Sequence, residues 1–445
     1  MVRMLRTNAR AGLIAAAAAL CGLLASVAEA QGFNVVIKEG SEAAVPIAVV
    51  PFGWQGSGPP AFDVAGVVSS DLASSGRFAP VPTRDMVSRP TQAQQVNFQD
   101  WRLLKANYLV IGTLAESTAD NFAATFQLFD VVRGESLTSF RLEAARGDLR
   151  RVAHRISDMV FEKLTGFPGV FSTQIAYVSE ERRADGTKLF RLIVSDADGE
   201  NANKVAESAQ PLLSPSWSPD SRRIAYVSYE GGVSGVYVQT LRSGTRERVS
   251  ARAGVNSAPA FSPDGRFLAL VLSRDTGNLD IHSLDLTSQV LRQLTTDAGI
   301  DTEPVWAPDG RSIFFTSDRA GGPQIYRVGT EAGQRATRIT FNGPYNARPR
   351  VSPDGKQLAV VYGQNNRYQI GVVSIDSGQL QILTDGRLDE SPSFAPNGAQ
   401  IIYATRDERG RAVLASVSTD GRFKTQIASV AGDVREPVWG PFPRP

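Results

Sequence analysis

The sequence predicts two domains: a small mixed-sheet α/β domain, then a six-bladed β-propeller closed by the C-terminal strand. Three observations carry this. A Pro-x-aromatic-x-Pro-Asp-Gly phrase recurs along the second half, with its second proline at 219, 263, 308, 353, 396 and 441. The intervals are 44, 45, 45, 43 and 45 residues, the length of a four-stranded blade. The phrase is missing before residue 167, where strand-like and helix-like stretches alternate instead.

Within each phrase the aromatic ends a short strand and suits the gap between neighbouring sheets. Pro-Asp-Gly makes a tight turn: Pro presets φ, Asp bonds nearby backbone and Gly tolerates positive φ. Apolar second strands follow, such as Ile224–Ser228, Leu268–Leu272 and Ile401–Ala404, then a third and a fourth strand before the next phrase. Four strands per period without a helix favour a propeller over a solenoid or a string of small domains. The ends of the array are complementary. Gln174–Ser179 repeats the second strand Arg223–Ser228 but no inner strand precedes it, and Pro437–Pro441 is an inner strand with nothing after it. The final strand is therefore expected to complete the first blade and remove two open sheet edges.

Residues 1–30 read as a cleaved secretory signal. Arg3, Arg6 and Arg10 precede an apolar Ala11–Val27 and a small-x-small Ala28-Glu29-Ala30. The apolar core is too short and Ala-rich for a membrane anchor. Leu20 is too bulky for lipoprotein processing at Cys21, the sole cysteine. The signal holds three Arg and one Glu, so the mature chain carries 47 − 3 = 44 basic and 45 − 1 = 44 acidic residues. A neutral, cysteine-free chain of this length buries enough core without disulfides and favours neither nucleic acid nor a membrane surface.

Residues 31–167 form the first domain. Asn34–Ile37 is a short candidate strand, Pro46–Phe52 a buried one, and Asp63 caps a helix whose Val64, Val67, Val68 and Leu72 share a face until Gly76. Tyr108–Leu114 is a further strand; Phe122–Asp130 and Leu137–Leu142 flank Arg133-Gly134 as a hairpin. A last helix, Leu149–Leu164, carries Val152, Ile156, Val160 and Leu164 on one stripe. Thr165–Gly169 is the linker, and residues 168–445 are the propeller.

Catalytic signals are sparse. His154 and His282 lie far apart and read as surface or packing residues. Ser234 in Gly-Gly-Val-Ser-Gly is not a nucleophile elbow. No phosphate loop or dinucleotide fingerprint appears, and the recurrent turn aspartates read as caps rather than metal ligands. The expectation is no enzyme, no cofactor and no metal.

An exported chain of this organisation resembles the TolB family of the Tol-Pal system. Pro46–Phe52, the junction Leu164–Val178 and Val417–Phe423 carry the resemblance; Gln174, where the family has arginine, departs from it. The resemblance covers the mature chain. It implies a periplasmic binding protein, monomeric outside its complex, that binds the lipoprotein Pal through the propeller and TolA through its N-terminal arm, in support of outer-membrane integrity and constriction during cell division. The alternatives are a periplasmic lyase or glycan hydrolase built on a propeller, which needs clustered histidines or paired carboxylates in the channel, and an unrelated binding scaffold.

The resemblance places Pal at the loops before Pro259 and Pro304. The candidate rim residues are Asn256, Ser257, Ala258, Asp301, Thr302, Glu303, Arg348, Asp389 and Glu390. With Glu436, the rim acids Asp301, Glu303, Asp389 and Glu390 face Arg348 and Arg435, an expected charge of minus three that would steer a basic partner. The TolA arm comprises Gln31, Phe33, Val35, Ile37 and Lys38. Its alternation suits addition to a partner's sheet edge, or pairing within its own domain.

Overall fold

The computed structural model describes residues 35–37, 44–118, 120–273, 277–331, 333–427, 429–430 and 432–443. The signal expected at 1–30, and Gln31, Phe33 and Lys38 of the arm, lie outside them.

The first domain is one mixed sheet packed on two long helices. Its strand order is Phe78–Pro80, Val45–Val49, Tyr108–Thr118, Asn121–Asp130, Glu135–Ala145, and Gly53–Gln55 pairs with Tyr108–Thr118 beyond the end of Val45–Val49. Strands joined through helix α1 (Val64–Ser74) run parallel, and the two hairpins run antiparallel. The Asp63 carboxylate accepts the Gly66 N–H at 2.9 Å, the N-cap bond expected from the sequence. Helix α2 (Phe98–Leu103) is one the sequence reading missed; Asn97 caps it and it buries Trp101. Helix α3 (Leu149–Thr165) puts Val152, Ile156 and Val160 into the core and ends at Gly166, whose φ of 76° permits the left-handed cap.

Six four-stranded antiparallel sheets follow, each with the proline-rich strand innermost. The ring closes as expected: Asp433–Trp439 pairs with Gln174–Arg182, with Trp439 opposite Ile175. Trp217, Phe261, Trp306, Phe394 and Trp439 are each buried. They wedge between blades, and the Trp306 indole N–H donates to the Ala260 carbonyl of the preceding blade at 3.0 Å. Turn aspartates cap as anticipated: Asp264 Oδ1 accepts the Arg266 N–H at 3.0 Å and Asp309 Oδ1 the Arg311 N–H at 2.9 Å.

The arm does not pair within its own domain. Val35–Ile37 pairs antiparallel with Phe423–Thr425, inside the outermost strand of blade six. It therefore adds a fifth strand to a propeller sheet and leaves its own domain's sheet alone. The outer strand of a blade presents unpaired backbone groups, which an extended segment can satisfy.

The junction between domains is tied down rather than loose. Asp158 on α3 accepts the backbone N–H groups of Phe171 at 2.7 Å and Ser172 at 3.2 Å, and Phe171 packs into the first domain's core. A Cβ on Gly169 would lie 2.4 Å from the Asp158 Cα, so only glycine fits. Burial outweighs the two N–H bonds and raises the Asp158 carboxyl to about 6. An acid raised in the folded state binds its proton more tightly there than in the unfolded chain. Its stabilisation is full below about pH 4 and is lost as pH rises through about 6. We expect stability to fall by up to about 3 kcal/mol across that window, and Asp158→Asn to flatten this slope in urea titrations at several pH values. An unchanged slope would place the titrating group elsewhere.

Candidate protein-docking site on the propeller rim

The residue just before the inner-strand proline is left-handed in all six blades. The φ values are 52° at Ser214, 47° at Ala258, 56° at Glu303, 54° at Arg348, 56° at Ser391 and 50° at Glu436. None is glycine, and non-glycine residues seldom adopt this region. At each one the pairing with the second strand slips by a residue, a β-bulge repeated around the ring. A bulge kinks its strand and re-aims the extra residue. Here it brings those six residues to the mouth of a central channel of about 400 Å³, whose wall also includes Arg350 and the inner prolines.

Carboxylates stitch neighbouring blades across this mouth. Glu303 accepts the Arg348 backbone N–H at 2.9 Å and the Thr316 hydroxyl at 2.8 Å, and meets the Arg348 guanidinium at 3.2 Å. Glu436 accepts the Ser214 N–H and approaches Arg348 at 3.6 Å. Arg348 also donates to Ser391 Oγ at 2.6 Å. Although burial lowers it, the Glu436 and Glu303 charges hold the Arg348 guanidinium above its ordinary pKa. Burial, with Glu303 adding to it, pushes the Tyr345 phenol up.

Three expected rim residues are not on offer to a partner. Asn256 is fully buried; its side chain accepts from Ser250 Oγ and the Arg252 N–H and donates to the Arg252 and Gly254 carbonyls. Asp301, also fully buried, accepts from one Arg319 nitrogen, Nη2, on both carboxylate oxygens at 2.8 and 2.7 Å. Asp389 is buried and accepts from Thr405 Oγ1 and the Gly386 N–H. Asn256 and Asp301 begin an inner strand and Asp389 directly precedes one, where the loop from the preceding blade leaves backbone groups that a buried polar side chain must satisfy. Ser257, Ala258, Thr302, Glu303, Arg348 and Glu390 remain partly open, and of these Ala258, Glu303 and Arg348 line the channel.

The expected charge of minus three shrinks to minus two. Asp301 is offset by Arg319 and Arg435 by Glu180, which leaves Glu303, Asp389, Glu390 and Glu436 against Arg348 and the channel residue Arg350, four against two. Sequence reasoning singled out Arg348 and Glu303 and counted Glu436 among the rim charges without naming it a docking residue, and it left Ser214, Ser391 and Arg350 out of the candidate site. Their signal was available, since all but Arg350 directly precede a repeat proline.

Chemistry elsewhere is thin. Among the described residues, the one cluster of histidine, cysteine and carboxylate side chains close enough to share an ion is Asp71, His154 and Asp198, away from this channel. There Ser157 donates to Asp71 rather than to His154, so no nucleophile–base pair forms. No helix among the described residues is long and apolar enough to cross a membrane.

Comparison with known proteins agrees with this architecture. Residues 33–137 match the family described as the TolB amino-terminal domain, and residues 161–443 the TolB β-propeller domain. The Tol-Pal system protein TolB of Nitrosococcus oceani is 49% identical over 438 residues, covering 98% of this chain and all of the relative. That of Thioalkalivibrio sulfidiphilus is 50% identical over 410 residues, covering 92% of this chain and 94% of the relative. The crystal structure of TolB from Acinetobacter baumannii superposes with a TM-score of 0.83 at 38% identity, over 92% of this chain and all of that one. Sequence kinship along nearly the whole chain, with the same two domains in the same order, makes this chain a member of the TolB family of Tol-Pal system proteins.

Proposed function

We propose that this protein is a periplasmic, non-enzymatic docking component of the Tol-Pal system, which receives the lipoprotein Pal at the propeller mouth and engages TolA through its N-terminal arm. The observation that carries the reading is the ring of six bulged residues. It holds Ala258, Glu303 and Arg348 in a rigid, left-handed backbone around a channel that a partner loop can enter. A preorganised concave surface loses little entropy on docking. The residues proposed to meet Pal are Ser257, Ala258, Thr302, Glu303, Arg348 and Glu390.

Ala258→Arg and Thr302→Arg are expected to weaken Pal binding at least tenfold by bulk at the mouth, with the melting temperature unchanged. Because the mouth keeps an acidic excess, association with a basic contact patch should slow as salt rises. Surface plasmon resonance with purified Pal at two salt concentrations checks both. Unchanged Pal binding by both variants would move the site to another face.

For TolA, the backbone of Val35–Ile37 that pairs with blade six is the same backbone a TolA strand would need. TolA then competes with the propeller for the arm. Deleting Gln31–Ser41 is expected to abolish TolA binding while Pal binding survives or strengthens. Equal TolA capture by the trimmed protein in a pull-down would refute this assignment.

A further inference from the structure

The junction between the two domains holds a second polar centre, independent of the channel. His154 on α3 is 1% exposed. Its Nδ1 lies 2.8 Å from the Asp71 carboxylate of α1, to which it donates. That bond fixes the tautomer and leaves Nε2 as a lone pair facing out of the first domain. Nε2 has no hydrogen-bond partner although it is buried. It points at the turn after Lys188–Asp196 in blade one, where Asp198 Oδ2 lies 3.7 Å away and Asp196 Oδ2 3.8 Å away.

These distances are too long for hydrogen bonds, which run about 2.7–3.2 Å. They match the separation of two atoms bound to one ion: ligands at about 2.0–2.2 Å, with angles of about 110–125°, lie about 3.4–3.8 Å apart. A carboxylate holding the far nitrogen of a ligating imidazole is the usual support of such a site. The charges agree. Asp71, Asp196 and Asp198 bring three negative charges. Arg150, whose guanidinium lies 3.5 Å from Asp196 Oδ2 and donates to Asp198 Oδ2, brings one positive. Ser157 bonds Asp71, and Asn201 bonds Asp196 at 2.7 Å. Asp158 lies on the same helix and contributes no positive charge. With the imidazole neutral, two negative charges in this half-buried cluster stay uncompensated, which a divalent cation matches. A cavity of about 160 Å³ bordered by His154, Asp196, Ser172 and Thr173 adjoins the site and has room for a water as fourth ligand.

We propose that His154 Nε2 and Asp198 bind a divalent transition-metal cation, zinc by the chemistry of its donors, that clamps α3 of the first domain to blade one, with Asp196 beside them as a further carboxylate and Asp71 as the residue that orients the imidazole. The ion draws ligands from both domains, so binding tightens the junction between them.

The test uses the mature chain, residues 31–445, stripped with chelator and titrated with zinc chloride by calorimetry. One equivalent is expected to bind, with affinity at least tenfold weaker in His154→Gln and in Asp198→Asn and unchanged in Glu303→Gln, which removes a channel carboxylate instead. Should a variant misfold, the wild type alone decides. It has two histidines, so a nitrogen-15 spectrum resolves both rings, and zinc should shift His154 Nε2 while leaving His282 in place. Three results would overturn the proposal: no zinc binding, binding lost in Glu303→Gln rather than in the junction variants, or a metal-independent stability that simply follows protonation of His154. The last would make the centre an imidazolium bridge.

Discussion

Removing residues 434–445 should unfold the whole propeller rather than fray one blade. Asp433–Trp439 is the inner strand of blade one, and its loss leaves Gln174–Arg182 with a bare edge in the middle of the ring. It also takes away Trp439, which packs with Val170, Ile175, Tyr177, Ala395, Ile402 and Val434. The Trp439 indole N–H donates to Thr173 Oγ1 at 2.8 Å, and its backbone N–H donates to Ser393 Oγ at 3.0 Å. One residue thus ties the linker, blade one and blade six together. Trp439→Ala alone should cost about 3–5 kcal/mol, the scale for a buried aromatic cut to alanine. In a domain of this size that is a fall in Tm of roughly 10 °C. Differential scanning calorimetry reads both variants. A truncated chain with the melting temperature of the full one would mean that closure contributes nothing.

Asp301→Asn is expected to destabilise the propeller by about 3 kcal/mol and to leave Pal docking intact. The carboxylate is fully buried and accepts both bonds from one Arg319 nitrogen, while Arg319 stacks over Phe315 and Tyr326. Neutralising one partner strands the guanidinium in a site built for a pair, and breaking a buried pair costs about 3–5 kcal/mol. The amide keeps one acceptor, which places the estimate at the lower end. Removing the second charge as well, in Asp301→Asn with Arg319→Met, should recover much of the loss, because the buried cation is then gone. Urea unfolding of the three proteins checks this. A loss under about 1 kcal/mol, the scale of a surface pair, would return Asp301 to the solvated rim.

The repeat was legible because a propeller blade is a local object. Turn chemistry, alternation and a wedge aromatic all lie within one period of about 45 residues, so blade count and closure could be read from proline positions. Helices α1 and α3 were legible for the same reason: cap, stripe and stop are neighbours in sequence. Helix α2 was missed because a helix of six residues, Phe98–Leu103, is too short to show a period, and it forms around the burial of Trp101.

The rim was legible in position and not in exposure. The sequence locates the loop before each inner proline, and these loops do meet at one mouth. It cannot say that Asn256, Asp301 and Asp389 turn inward while the residues two further on, Ala258, Glu303 and Ser391, bulge out. That choice belongs to the slipped register between first and second strands, which depends on backbone bonding across the sheet. The same limit explains His154. On α3 alone it sits on the stripe that a packing residue would occupy; its meaning comes from Asp71, 83 positions earlier, and from the turn at Asp196–Asp198, more than 40 positions later. By itself the sequence determined the domain order, the six blades, their closure and the family, because each rests on contacts within a period or on whole-chain pattern. Tertiary structure alone decided which rim charges face solvent, where the arm pairs and which groups gather at the domain junction, because burial and charge neutralisation are set by residues that the chain brings together from far apart.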